Sequence, residues 1–314
     1  MSKQITGIHV FEKRREDEWN ELSFAVQLLS ILSWKKFHGR IELYTNEGHL
    51  ADLKARGMDA LYDKIDTKIL KTAPELDESK YWSFNKLYVA SKLKAPFVLI
   101  DTDLYIEEPL DFNEEMAFQG FHFESFNVDF PGNHYLDFDN SLPSKWIGRW
   151  NKELMPINTA ILFMNNQQLI KEWYECALEI ASQSNQIEVN DEVYSYYMTL
   201  VEQRLLPMLS SERGLKYSPL TSPIYLSYID GSSGKEWWPP IETLSEDEIK
   251  KFTSIKHIWG LKRFIVDNKE MKVMISNVIE EAYNKYVETN NYLKLLEPWK
   301  ESSQILTNQY SDHS

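Results

Sequence analysis

The stretch Ala95-Pro96-Phe97-Val98-Leu99-Ile100-Asp101-Thr102-Asp103 decides the reading of this chain. It is an apolar run of strand length opened by a proline and ended abruptly by two carboxylates one residue apart. Before it, residues 79–93 read as a helix. Further upstream, residues 5–11, 40–44 and 60–65 read as strands. Residues 18–36 and 49–56 read as helices, the first with Leu22, Val26 and Leu29 at apolar spacing and the second ended by Gly57. Thr45-Asn46-Glu47-Gly48 reads as the turn that starts the second helix. This alternation predicts an α/β fold, a Rossmann-like mixed and mostly parallel sheet flanked by helices. In such sheets ligands gather at the carboxyl ends of strands, where Asp101 is expected.

Downstream, residues 117–123 and 156–164 read as strands, 169–182 and 192–205 as helices, and 254–259 as a final strand. Residues 127–150 and 219–240 read as irregular, the first as a long loop or insert of the kind that often carries function. A helical tail is expected over about residues 268–296. With no repeat and no Gly/Ser linker, the simplest organisation is one domain over residues 1–265 and a C-terminal helical extension over 266–314.

Composition narrows the function classes. Hydrophobic residues make up 43% of the 314, enough for a sizeable core, and the net charge is −14 with no strongly basic stretch. Nucleic acid is therefore not an expected partner, because phosphate contacts need clustered Lys and Arg. A phosphate-bearing ligand would need a cation or local lysines. The 10 Trp and 17 Tyr fit either core packing or a cleft lined by flat rings. Cys176, the single cysteine, excludes an intramolecular disulfide and reads as a small buried thiol. With no apolar leader and no run long enough to cross a bilayer, a cytoplasmic location is expected.

Two carboxylates at a strand end suit a hard cation such as Mg²⁺ or Mn²⁺, which usually also binds substrate phosphates. Spacing alone says little, since Asp137-Phe138-Asp139 repeats it after a Pro131-Gly132-Asn133 turn, with no apolar strand leading in. Context selects Asp101 and Asp103.

Trp82-Ser83-Phe84-Asn85-Lys86-Leu87-Tyr88, followed by residues 97–106, resembles the core of GT-A-fold nucleotide-sugar glycosyltransferases. In those enzymes a helix carrying a basic residue precedes the strand that ends in Asp-x-Asp. Ile157-Asn158-Thr159-Ala160-Ile161-Leu162-Phe163 is similar to their Asn-x-Gly strand. Ile255-Lys256-His257-Ile258-Trp259-Gly260-Leu261-Lys262 resembles the His-x-x-Gly-x-x-Lys segment of the retaining, glycogenin-like and galactosyltransferase-like members. Ala160 stands where the pattern has Gly. One residue fewer separates Gly260 from Lys262, and Arg263 follows, so either cation suits the phosphate position.

The resemblance implies a transferase moving a sugar from a nucleotide donor, UDP by default, to an acceptor that no sequence feature selects. Asp101, Asp103 and His257 would hold Mn²⁺ or Mg²⁺, with Asp101 also near the ribose. Gly260 and Lys262 would meet the diphosphate, Lys86 the donor sugar or phosphate, and Asn158 a sugar or acceptor hydroxyl. Thr45 and Asn46 would lie beside the nucleoside. Helical spacing puts Glu202 and Gln203 on an exposed helix face, whereas the resemblance has one of them, or Asp191, facing the anomeric carbon. His134, Tyr135, Trp146 and the Trp237-Trp238-Pro239-Pro240 run could form an acceptor platform. The competing readings are a catalytically degenerate sugar- or partner-binding protein and a nucleotidyltransferase. A dehalogenase-type phosphohydrolase would place its Asp-x-Asp near the start of the fold. No feature specifies an oligomeric state.

Overall fold

The computed structural model describes residues 5–13, 21–126, 154–184, 194–222, 224–227, 235–238 and 243–258. In chain order its elements begin with β1 (Gly7–Phe11), α1 (Glu21–His38), β2 (Ile41–Thr45), α2 (Glu47–Ala55) and β3 (Lys64–Asp66). Then come α3 (Phe84–Lys92), β4 (Phe97–Ile100), β5 (Leu104–Ile106), β6 (Phe118–Gly120), β7 (Glu124–Phe126), β8 (Ile161–Met164) and α4 (Gln167–Ser184). The last are α5 (Tyr194–Thr199), α6 (Leu205–Glu212), β9 (Tyr217–Pro219), β10 (Ile224–Ser227), β11 (Lys235–Trp238), α7 (Glu246–Thr253) and β12 (Ile255–His257). They fall into two compact units.

The first unit draws its described residues from Met1–Lys71, Asp101–Leu110 and Ser254–Ser314. Its strands β3, β2 and β1 pair in parallel, with Gly7 opposite Ile41 and Glu42 opposite Lys64. Helix α1 stops at Gly39, whose φ of 85° is open to glycine at little cost and whose N–H returns to the Trp34 and Lys35 carbonyls. Asn46 caps α2 by accepting the His49 N–H at 3.1 Å. The expected strand over 60–65 is shorter than read. Asp59–Leu61 is a 3₁₀ turn, and pairing to β2 starts only at Lys64.

The second unit comprises Thr72–Ile100 and Asp111–Thr253. Here β8 runs antiparallel to both β4 and β6, while β9 joins β6 in parallel. The fold is thus mixed α/β, parallel where the strand–helix rhythm is regular. Helix α4 is capped by Asn166, which accepts the Leu169 N–H at 2.9 Å. Ser245 and Glu248 form a reciprocal capping box at the start of α7. Residues 219–240, read as irregular, contain β10 and β11 as an antiparallel pair, with β7 beside β10.

The helix expected over 192–205 also differs. Between α5 and α6 the chain widens into a π-helical turn, Leu200–Arg204. Pro207 explains it, because its ring has no N–H for the Gln203 carbonyl four residues back and crowds that carbonyl. The Gln203 carbonyl finds another donor, Ile157 N–H at 3.1 Å, and the Val201 carbonyl of the same turn accepts the Trp173 indole N–H at 2.8 Å.

Most described aromatics are core, with Trp34, Trp173, Tyr44, Phe24, Phe118 and Phe163 among the largest fully buried side chains. Among the described residues Trp82 is the exposed large hydrophobic. Cys176 is half-buried rather than fully enclosed. No described helix is long and apolar enough to cross a membrane.

Two histidines of the first unit make stability depend on acidity. Burial pushes His9 down to about 3 and His49 down to about 4, so both are neutral in the fold. The unfolded chain takes up protons on both near pH 6.5. Their contribution is therefore complete above that value and is lost as pH falls towards the folded values. Urea midpoints should drop steadily from pH 7 to pH 4. A flat profile would contradict this burial.

Candidate metal centre

Strand β4 ends at Ile100, and the chain turns at once through Asp101-Thr102-Asp103, with Leu104 N–H returning to Asp101 O at 3.1 Å. The turn feeds β5, which pairs antiparallel with β12 so that His257 lies opposite Leu104. Two further bonds extend the pairing, Ile258 N–H to Asp103 O at 3.0 Å and Glu107 N–H to Ser254 O at 2.8 Å. This ladder delivers an imidazole from late in the chain to the two carboxylates.

His257 Nε2 lies 3.5 Å from Asp103 Oδ1 and 3.9 Å from Asp101 Oδ2. Both separations exceed those of a well-formed hydrogen bond. The Nε2 atom is buried and has no hydrogen-bond partner among the described residues. One ligand atom from each of the three residues lies within 4.8 Å of the others. Ligands about 2.1 Å from one octahedral cation sit roughly 3 Å apart, so a small shift would let all three share an ion. Two carboxylate oxygens and one imidazole form a donor set for a divalent cation, with no thiolate to favour a soft metal. The side chains are 27%, 12% and 15% exposed in the order Asp101, Asp103, His257, so a ligand can reach them.

Four other expected site residues belong to the second unit. Lys86 is buried, and its Nζ donates to Glu202 Oε1 at 2.6 Å. Thr159 Oγ1 donates to the same oxygen at 2.7 Å, and Ser83 Oγ donates to Glu202 Oε2 at 2.7 Å. Glu202 is only 6% exposed, which corrects the reading of an exposed helix face. Burial alone would raise its carboxyl, but the Lys86 ammonium and the hydroxyl donors outweigh burial and hold it below the ordinary glutamate range. Ser83 sits at the N-cap position of α3 yet makes no side-chain cap, its hydroxyl being committed to Glu202.

Asn158 is also engaged at both ends. Its Nδ2 donates to Glu124 at 2.7 Å and its Oδ1 accepts the Ala160 N–H at 3.0 Å. Gln203, by contrast, has a buried Oε1 without a partner among the described residues. In the first unit, Asn46 spends Oδ1 on its cap and donates Nδ2 to Lys13 O at 2.7 Å. Thr45 is fully enclosed, and its Oγ1 has no partner among the described residues. Gly260, Lys262, Arg263, Asp191, His134, Tyr135, Trp146 and the Asp137/Asp139 pair lie outside the described residues, as does the 266–314 extension. Trp237 and Trp238 belong to β11.

Ser83 and Thr159 were not singled out in the sequence, although both sit inside the blocks that held Lys86 and Asn158. A hydroxyl at the start of a helix reads as a cap, and nothing local reveals that a glutamate far along the chain will claim it.

Residues 15–231 match the sequence profile of a family of unknown function, DUF6734, and the chain belongs to that family. Asp101 and Asp103 fall inside the matched residues and His257 beyond them. No curated protein matches the sequence. Among solved structures the chain is similar to one titled "PaToxG Glycosyltransferase", with 11% identity and a TM-score of 0.40 over 66% of this chain and 69% of that one.

The Lys86–Glu202 pair invites a direct test. Replacing Lys86 with Met leaves a buried carboxylate facing two hydroxyls and no cation, which should cost about 3–5 kcal/mol in urea unfolding at pH 7. The wild-type pair contributes fully above the unfolded glutamate value near 4.5 and loses its contribution as pH falls through the lower folded value. The Lys86→Met penalty should therefore shrink in acid. A penalty independent of pH would contradict the ion pair.

Proposed function

We propose that this protein is a metal-dependent glycosyltransferase that takes a sugar from a nucleotide-diphosphate donor, a UDP-sugar first among them. It passes the sugar to a hydroxyl acceptor with retention of anomeric configuration. The observation that supports this reading is the convergence of Asp101 and Asp103, selected together by their strand-end context, with His257, nominated from a distant block by the sequence resemblance. A divalent cation held there would neutralise the diphosphate as it departs.

The chain's own residues supply the rest. Asp101 and Asp103 bring two negative charges to a partly exposed turn, and His257 brings a lone pair without a competing partner. Lys262 or Arg263, with the small Gly260 before them, would pair with phosphate oxygens. The nucleoside would lie along the turn at Thr45 and Asn46, meeting backbone more than the Asn46 amide, which the α2 cap already uses.

Of the neighbours Glu202 and Gln203, it is Gln203 whose side-chain oxygen has no partner among the described residues. Glu202 is saturated by Lys86, Thr159 and Ser83, whereas Gln203 keeps a carbonyl oxygen for a hydroxyl donor. Lys86 is correspondingly an organising residue, because its charge is already matched. Asn158 acts in the same way, holding Glu124 and the chain at Ala160.

The test is calorimetric binding of a panel of nucleotide sugars with and without Mn²⁺, followed by assay of slow donor hydrolysis. One member of the panel should bind only with Mn²⁺. Asp103→Ala should weaken that binding by at least the roughly 10–100-fold that loss of even an outer metal partner costs. Binding indifferent to Mn²⁺ and to Asp103→Ala would overturn the metal reading. Metal-dependent binding with no turnover, given plausible acceptors, would favour the degenerate sugar-binding alternative.

A further inference from the structure

Helix α1 is apolar along most of its length, yet Gln27, Ser30 and Ser33 recur at three-residue spacing and are all buried, at 0%, 2% and 1% exposure. Such a stripe must be matched by partners, and each side chain ties α1 to a different segment of the first unit. Gln27 Nε2 donates to Tyr62 Oη at 2.9 Å. Tyr62 Oη lies 2.8 Å from His9 Nδ1, and His9 Nε2 lies 3.0 Å from Ser30 Oγ. The Tyr62 and Ser30 hydroxyls thus bracket the His9 imidazole, one at each ring nitrogen. Burial pushes His9 down to about 3, so the imidazole between them is neutral.

The third member reaches the strand that follows the metal carboxylates. Ser33 Oγ accepts the Ile106 N–H at 3.2 Å and donates to Ser30 O at 3.1 Å. A single hydroxyl thus joins the backbone of β5 to the backbone of α1. Strand β5 has only three residues, begins directly after Asp103, and pairs with the strand that carries His257. Apolar packing between a helix and a strand tolerates sliding, whereas a buried hydrogen-bonded chain admits one placement.

We propose that Ser33 is a positioning residue for the metal centre. By anchoring Ile106 to α1 it places β5, and with it the Asp103 carboxylate and its partner His257, close enough that a small shift lets them share a divalent cation. This rests on the metal-centre reading of Asp101, Asp103 and His257.

The experiment is titration of the full-length protein with Mn²⁺, reading free ion by its paramagnetic resonance signal, well below the thermal midpoint of every variant. Ser33→Ala should bind Mn²⁺ about ten-fold more weakly, the lower end of what an outer partner of a metal site contributes. Ser33→Thr keeps the hydroxyl and should stay near the wild-type value. Ser210→Ala, a buried serine of the second unit whose hydroxyl has no partner among the described residues, should also stay there and controls for the loss of a core hydroxyl. Wild-type affinity in Ser33→Ala, or equal weakening in Ser33→Thr, would overturn the proposal. A wild-type protein that leaves all the Mn²⁺ free would instead remove the metal reading itself, and this inference with it.

Discussion

The pairing of β5 with β12 is the constraint on which the candidate centre depends. Asp101 and Asp103 are local to each other by sequence, but His257 reaches them only because an antiparallel ladder sets it opposite Leu104 and ties Ile258 N–H to Asp103 O. Backbone hydrogen bonds bring the imidazole there. At 3.5 and 3.9 Å it makes no well-formed hydrogen bond to either carboxylate. A cation would add cohesion to an arrangement that the backbone has already made.

A different kind of order holds the second unit. Pro207 denies a donor to Gln203 O, the helix widens, and the same turn sends Glu202 inward to Lys86, Ser83 and Thr159. A buried carboxylate is tolerated because a cation and two hydroxyls satisfy it. π-Turns of this sort recur at functional sites, and this one leaves Gln203 Oε1 buried and without a partner among the described residues.

Much of the fold was legible because it rests on local signals. The apolar run at Phe97–Ile100, Gly57 after α2 and the helix-starting turn at Asn46 each act within a few residues, and the structure has them where they were read. The metal candidates were legible for another reason: hard ligands at a strand end cannot serve a core, and a resemblance supplied the distant histidine. What failed was tertiary. Glu202 read as exposed because helical spacing says nothing of a lysine placed on another helix. The helix read over 192–205 took no account of Pro207, which favours a break four residues upstream; the structure has that break as a π-turn bonded to Ile157. The strands β10 and β11 were hidden by a run of Pro, Gly and Ser that resembles loop. The stripe Gln27, Ser30 and Ser33 was visible in the sequence, but its partners His9, Tyr62 and Ile106 come from three separate elements.

The most direct measurement of the central claim is electron spin-echo spectroscopy of the Mn²⁺-loaded protein, which reports nitrogen bound to the ion. A single histidine nitrogen coupling is expected in the wild type, abolished by His257→Gln and kept in His9→Gln, while Asp103→Asn lowers the amount of ion bound. Mn²⁺ held without any nitrogen coupling, or with a coupling that survives His257→Gln, would contradict a centre built from Asp101, Asp103 and His257.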